Sequence, residues 1–322
     1  MWRPCCRVRT GCARTGTNFE ECWRPTKAES FPGGVSAVGE NPTYGRGDGA
    51  DSSTRALWSH NCRWTDLLVP VSVDAGRRDL DLRDGWTRRW TASWRAGETP
   101  VVSPVRTLAD APVSGRTPVR RFTWRREQWH RPGLEFMSST GRRHGFESLE
   151  EDWLLRVMDF AGGVVELLPQ PLEITFRTRP SGRRRHTPDF FAVTRAGTWL
   201  IDVRPAKLID AGARESFAAA AEVALVAGWH YVVVAGWRPH VLSGLDAMYA
   251  RRGSSGDPLG LRQALLAGAT AGVTFGELAY DCEYWPVARA QLLHLLWHRR
   301  LGVDLAAPLT DDSLIVRAGG EG

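Results

Sequence analysis

The pattern of apolar and polar positions changes character several times along the 322 residues. Residues 1–65 hold neither a helical nor a strand period for more than a few positions. Runs such as Gly45-Arg46-Gly47-Asp48-Gly49-Ala50 offer too little apolar surface to fold. Two readings fit this segment, a disordered arm or a stretch upstream of the true translation start. From Leu67 the pattern tightens. Leu67-Leu68-Val69-Pro70-Val71-Ser72-Val73 and Thr117-Pro118-Val119-Arg120-Arg121-Phe122-Thr123-Trp124 predict short strands, with turns and charge between them. Ser148-Leu149-Glu150-Glu151 has the S-x-x-E form of a capping box, with Ser148 as N-cap and Glu151 at N3. Trp153, Leu154, Val157 and Met158 then recur at helical spacing as far as Ala161-Gly162-Gly163. Leu172, Ile174 and Phe176 alternate with Glu173, Thr175 and Arg177, which predicts a strand with one buried face. Asp189–Val193 and Trp199–Arg204 flank Thr194-Arg195-Ala196-Gly197 as a hairpin that Pro205 ends. The Ala-rich stretch 214–226 predicts a helix that returns to a buried strand, Tyr231-Val232-Val233-Val234-Ala235. This order predicts an α/β domain over residues 66–250, a mixed sheet flanked by helices.

Residues 251–258 read as a linker, and a second unit is expected over 257–322. Thr274-Phe275-Gly276-Glu277 opens one helix, and Pro286 starts another that carries Val287, Leu292, Leu295 and Leu296. Ser313-Leu314-Ile315-Val316 forms a short strand. Three helices and a wing are the outline of a winged helix-turn-helix, and the plainer alternative is a small helical cap on the first domain.

With 43% apolar and 24% charged residues and no apolar run near the roughly 18–20 positions of a membrane span, a membrane protein is not expected. Met1-Trp2-Arg3-Pro4-Cys5-Cys6 is followed by Arg and Gly instead of an apolar stretch. No secretory signal is therefore expected, and the cytoplasm is the expected compartment. A net charge of +6 permits a nucleic-acid partner without requiring one. Among the 42 basic residues only Lys27 and Lys207 are lysine, which reads as the codon usage of a GC-rich bacterial genome and lowers the weight of any single arginine. Five of the six cysteines lie in the first 62 residues without C-x-x-C pairing, so free thiols are expected. Arg120 to Arg143 interleaves arginines with Phe122, Trp124, Trp129 and Phe136. That mix suits phosphates and stacked bases, or equally a solvated basic edge over core aromatics.

The candidate chemistry lies in the α/β block. The hairpin carries Asp189 after Pro188 and Asp202 two residues before Arg204, and Glu151 on the preceding helix adds a third carboxylate. Three carboxylates at one sheet edge suit Mg²⁺, with Mn²⁺ as the alternative, which takes oxygen ligands and acidifies a water. Each also has a plainer reading: helix cap, turn acceptor, strand-end ion pair. His294 and His298 stand four apart with no glutamate among Leu295, Leu296 and Trp297, which favours a helix edge over a metal site. Phosphate loops of the G-x-x-x-x-G-K type and G-x-S-x-G elbows are missing from the sequence.

Four motifs resemble a known family: Ser148-x-x-Glu151; Val164 leading to Gln170-Pro171; His186-Thr187-Pro188-Asp189-Phe190-Phe191; and Asp202-Val203-Arg204-Pro205-Ala206. Over roughly residues 118–235 their order and spacing are similar to the PD-(D/E)xK nuclease superfamily and, within it, the TnsA-type endonuclease subunit of heteromeric transposases. The resemblance implies a restriction-endonuclease-like fold and a metal-dependent DNA endonuclease that cuts one strand at transposon ends. Its partners would be a transposase subunit and a regulatory ATPase. By resemblance Glu151, Asp189 and Asp202 bind the metal. Arg204 stands where the family has a water-positioning lysine. It is a planar, permanently charged fork and not an equivalent cation. Lys207, three residues on, is the other candidate for that role, and Arg204 could instead clamp phosphate. Two rival expectations are a restriction or repair nuclease of the same superfamily and a catalytically silent DNA-binding or scaffold protein.

Overall fold

The computed structural model describes residues 56–112, 115–120, 132–180, 182–253 and 256–319, all within one compact unit, Thr43–Gly322. It is a mixed α/β structure whose sheets are mostly antiparallel and flanked by helices. The arm predicted over 1–65 ends earlier than expected: Leu57, Cys62 and Trp64 are buried in the core. Trp64 opens a short 3₁₀ turn, Trp64–Asp66, too brief to show a period.

Strand β1 (Leu68–Pro70) is shorter than predicted, because Pro70 has no N–H for the ladder and the register slips there. Helices α1 (Asp74–Arg77) and α2 (Trp86–Arg89) lead to β2 (Thr91–Ala96), β3 (Thr99–Pro104) and the two-residue β4 (Arg116–Thr117). The strand expected over 117–124 is thus described only at its start, and residues 121–131 lie outside the described ones. A hairpin, β5 (Gly133–Met137) with β6 (Arg142–Phe146), precedes helix α3 (Leu149–Ala161). Ser148 caps α3, its Oγ accepting from the Glu151 N–H at 3.2 Å. Gly162 and Gly163, with φ of 73° and 80°, end the helix and turn the chain into β7 (Val164–Pro169).

Next come β8 (Glu173–Thr178), β9 (Gly182–His186) and the hairpin of β10 (Phe190–Thr194) and β11 (Gly197–Val203). Helix α4 (Ala211–Ala227) then crosses over to β12 (His230–Trp237), which pairs parallel with β11. The central sheet has the order β1-β12-β11-β10-β7. Side chains alternate across it. Phe190, Ala192, Ile201, Val232 and Val234 share a core with Leu154, Leu155 and Met158 of α3. On the other face α4 packs on β11 and β12, and Phe191 meets the Trp229 ring at 4.8 Å. A second sheet, β3-β2-β8-β9, stands beside it.

Helices α5 (Val241–Tyr249), α6 (Leu261–Gly268), α7 (Phe275–Tyr280) and α8 (Trp285–Trp297) follow, then the two-stranded ribbon of β13 (Leu301–Gly302) and β14 (Val316–Arg317). The strand predicted at 313–316 lies later: Leu314 makes only an isolated bridge to Thr274. Thr274 and Glu277 form the predicted capping box of α7. One apolar cluster runs from Leu57 through α3 to Leu292, Leu295, Leu296 and Ile315. Among the described residues no helix is long and apolar enough to cross a membrane, and Cys62 and Cys282 are free thiols.

Candidate active site at the edge of the central sheet

Asp189 continues β10 by one residue, between β7 and β11. Its N–H donates to the Ile201 carbonyl at 3.1 Å, and its own carbonyl accepts from the Gln170 N–H at 2.7 Å. The side chain is fixed as well, since Oδ2 accepts from the Val203 N–H at 2.7 Å. Glu151 sits at N3 of α3, where the dipole of the helix N-terminus favours a carboxylate. Its Oε2 accepts from the Glu147 N–H at 2.8 Å and its Oε1 from the Ser148 hydroxyl at 3.0 Å. The box is therefore closed on the residue before the N-cap, not on the N-cap N–H.

The three predicted carboxylates lie within electrostatic reach of one another at Asp189. Burial pushes Asp189 well above the usual carboxylate range, and the charges of Asp202 and Glu151 raise it further. Burial also lifts Glu151 to about 7. The Glu147 and Ser148 hydrogen bonds oppose that rise, and the charges of Glu147 and Glu150 add to it.

Asp202 is 1% exposed and occupied: its Oδ2 accepts from the Tyr231 hydroxyl at 2.6 Å, and His186 Nε2 lies 3.0 Å from its Oδ1. Burial raises the Tyr231 phenol well above its ordinary value, and the Asp202 charge adds to the shift. Among the described residues no set of three His, Cys, Asp or Glu side chains is arranged to hold a metal ion. Glu151 and Asp189 are of the donor type that a hard divalent cation takes. Both are oxygen donors, a cation relieves the repulsion that raises Asp189, and Mg²⁺ is commonly held by one or two carboxylates with waters and phosphate completing its shell.

Arg204 lies just past the end of β11. It is exposed, and its Nε donates to the Leu208 carbonyl at 3.2 Å across the 3₁₀ turn Ala206–Leu208. Lys207 is exposed on the same turn. Among the described residues neither makes an ion pair with Glu151, Asp189 or Asp202. Strand β11 ends at Val203, and the Arg204 N–H still donates to the Val234 carbonyl at 2.9 Å. His294 and His298 bond the carbonyls of Arg251 and Arg252 at 2.9 and 3.1 Å.

Three residues of the site carried no predicted role. His186 ends β9 and is visible in sequence only as a histidine three before Asp189. Tyr231 was visible as the one hydroxyl in an apolar strand. Gln170 has φ of 46° and is 4% exposed, with an Oε1 that finds no partner among the described residues. Nothing in the sequence signals that backbone conformation. No protein-family model matches the chain, and no curated protein is significantly similar to it.

Proposed function

We propose that the chain is a divalent-metal-dependent DNA endonuclease of the PD-(D/E)xK type, acting as the TnsA-like subunit of a heteromeric transposase at transposon ends. The observation that carries this reading is the placement of Asp189 in the combined field of Glu151 and Asp202. The order of elements supports it as well: helix with Glu151, Pro188-Asp189, hairpin, then Asp202 at the end of β11, on a sheet in which β7, β10 and β11 are antiparallel and β11 and β12 parallel. A bound Mg²⁺ or Mn²⁺ would acidify a water and offset charge on the scissile phosphate.

The chain's own residues have separate tasks. Asp189 and Glu151 supply oxygen ligands, each on a side chain whose other hydrogen bonds fix its direction. Tyr231 and His186 hold Asp202 beside them. Arg204 and Lys207, on the exposed turn past β11, are placed for phosphate more than for the attacking water. Helices α6, α7 and α8 with the β13–β14 ribbon suit a winged-helix-like unit that engages DNA or the regulatory ATPase.

A second reading, a catalytically silent DNA-binding or scaffold protein, is favoured by the same Arg204 placement, since among the described residues Lys207 makes no ion pair with the carboxylates. Nicking of supercoiled plasmid bearing transposon-end sequence separates the two. The assay uses the protein alone and with its transposase partner, in Mg²⁺, in Mn²⁺ and in EDTA. The nuclease reading expects metal-dependent nicking that Asp189→Ala abolishes. Folded protein that binds the DNA and never nicks it supports the silent reading, and Arg204→Lys then tests whether arginine is the lesion.

A further inference from the structure

The second sheet turns one face inward and leaves the other to solvent. Along β8 and β9 the register sets Arg177 opposite Arg183 and Thr175 opposite Arg185, and opposed residues share a face. Ile174 and Phe176 are fully buried on the inner face, where Arg184 and His186 lie across from them. Arg177, Arg183 and Arg185 are exposed on the outer face, which Thr91 of β2 continues through its pairing with Thr175. Like charges directly opposed on neighbouring strands weaken the pairing. Arg185 is relieved by Glu173 at 3.6 Å. Among the described residues Arg177 and Arg183 have no carboxylate within ion-pair reach, and none of those residues offsets their repulsion. An anion would compensate it, and two adjacent planar guanidinium forks match phosphate oxygens.

Strand β9 itself leads to the candidate site: its last residue, His186, turns to the inner face, where its Nε2 lies 3.0 Å from Asp202, and Arg183 stands three residues earlier on the outer face, roughly 10 Å along the strand. We propose that the outer face of β8 and β9, centred on Arg177 and Arg183, binds the phosphate backbone of the duplex DNA on which the Glu151–Asp189 centre acts. The inference rests on the nuclease reading for its ligand.

The test is a fluorescence-anisotropy titration of a labelled duplex over a NaCl series, with wild type and the Arg177→Gln/Arg183→Gln double variant. The double variant should lose affinity about tenfold or more at low salt, and the slope of log K against log salt should shrink by about two. Relief of the opposed charges predicts a melting temperature for the unliganded double variant equal to or above that of wild type. Unchanged affinity and slope in the double variant, with wild type binding normally, would overturn this surface and leave the nuclease reading intact. A lowered melting temperature would overturn it too, by making the arginines structural. Absence of DNA binding by both proteins would overturn the surface and the nuclease reading together.

Discussion

Asp189 is held by its backbone and one carboxylate oxygen while its charge is disfavoured by burial and by two neighbouring carboxylates. Glu151 shares that tension, with its carboxyl raised from an ordinary 4.5 to about 7. The folded protein therefore keeps a proton on Glu151 that the unfolded chain has released. The resulting stabilisation is complete below about pH 4.5 and is lost as pH rises through about 7. Asp189, raised in the same direction, acts with the same sign. Asp189→Asn retains an acceptor for the Val203 N–H and removes the charge. In metal-free protein its melting temperature should exceed that of wild type by more than about 3 °C at pH 8, with a smaller gain at pH 5. Differential scanning calorimetry at the two pH values reads this directly, and an equal or reversed gain would contradict the electrostatic account. Ser148→Ala should cost about 1 kcal/mol in urea unfolding through loss of the α3 cap. The same substitution frees Glu151 Oε1 from its hydroxyl donor, so nicking activity should fall as well.

At the scale of elements, α1 and α4 cross more closely than a side chain allows. A Cβ built on Gly76 would stand 2.1 Å from the Arg214 carbonyl oxygen. Gly76→Ala should therefore destabilise by about 1–3 kcal/mol, measured by chemical denaturation, because backbone and not a flexible side chain must move. Elements with a clear period were legible in sequence: α3, the β10–β11 hairpin, α4, β12 and the capped α7. The second sheet was less so. Trp90, Ala92 and Trp94 do alternate as buried residues, but they sit among the charges and turns of residues 74–116, and their partner β8 is about 80 positions away. Strand β7 was missed for another reason. Leu167, Leu168 and Pro169 are all buried, so no alternation marks it. Within the site, the carboxylates were legible from Pro188-Asp189 and the S-x-x-E cap, whereas the direction of Arg204 depends on a turn that local sequence does not reveal.

The unit Thr43–Gly322 is tied together across the expected linker. Phe160 of α3 meets Trp297 of α8 with ring centroids 5.4 Å apart. Arg299 donates to the carbonyls of His60, Cys62 and Ala161, joining the turn after α8 to the start of the fold and the end of α3. Such a shared core should unfold as one unit: urea denaturation is expected to show a single transition by fluorescence and circular dichroism. Trp297→Ala should shift it by about 3–5 kcal/mol. Two separated transitions would contradict the continuity of this core.

The claim on which the functional account depends is that Glu151 and Asp189 together hold a divalent cation. Its most direct test is calorimetric titration of Mg²⁺ into wild type, Glu151→Gln and Asp189→Asn at pH 8, each confirmed folded. Saturable binding by wild type that is lost in both variants is the predicted result. Failure of wild type to bind, or equal binding by all three proteins, would contradict it.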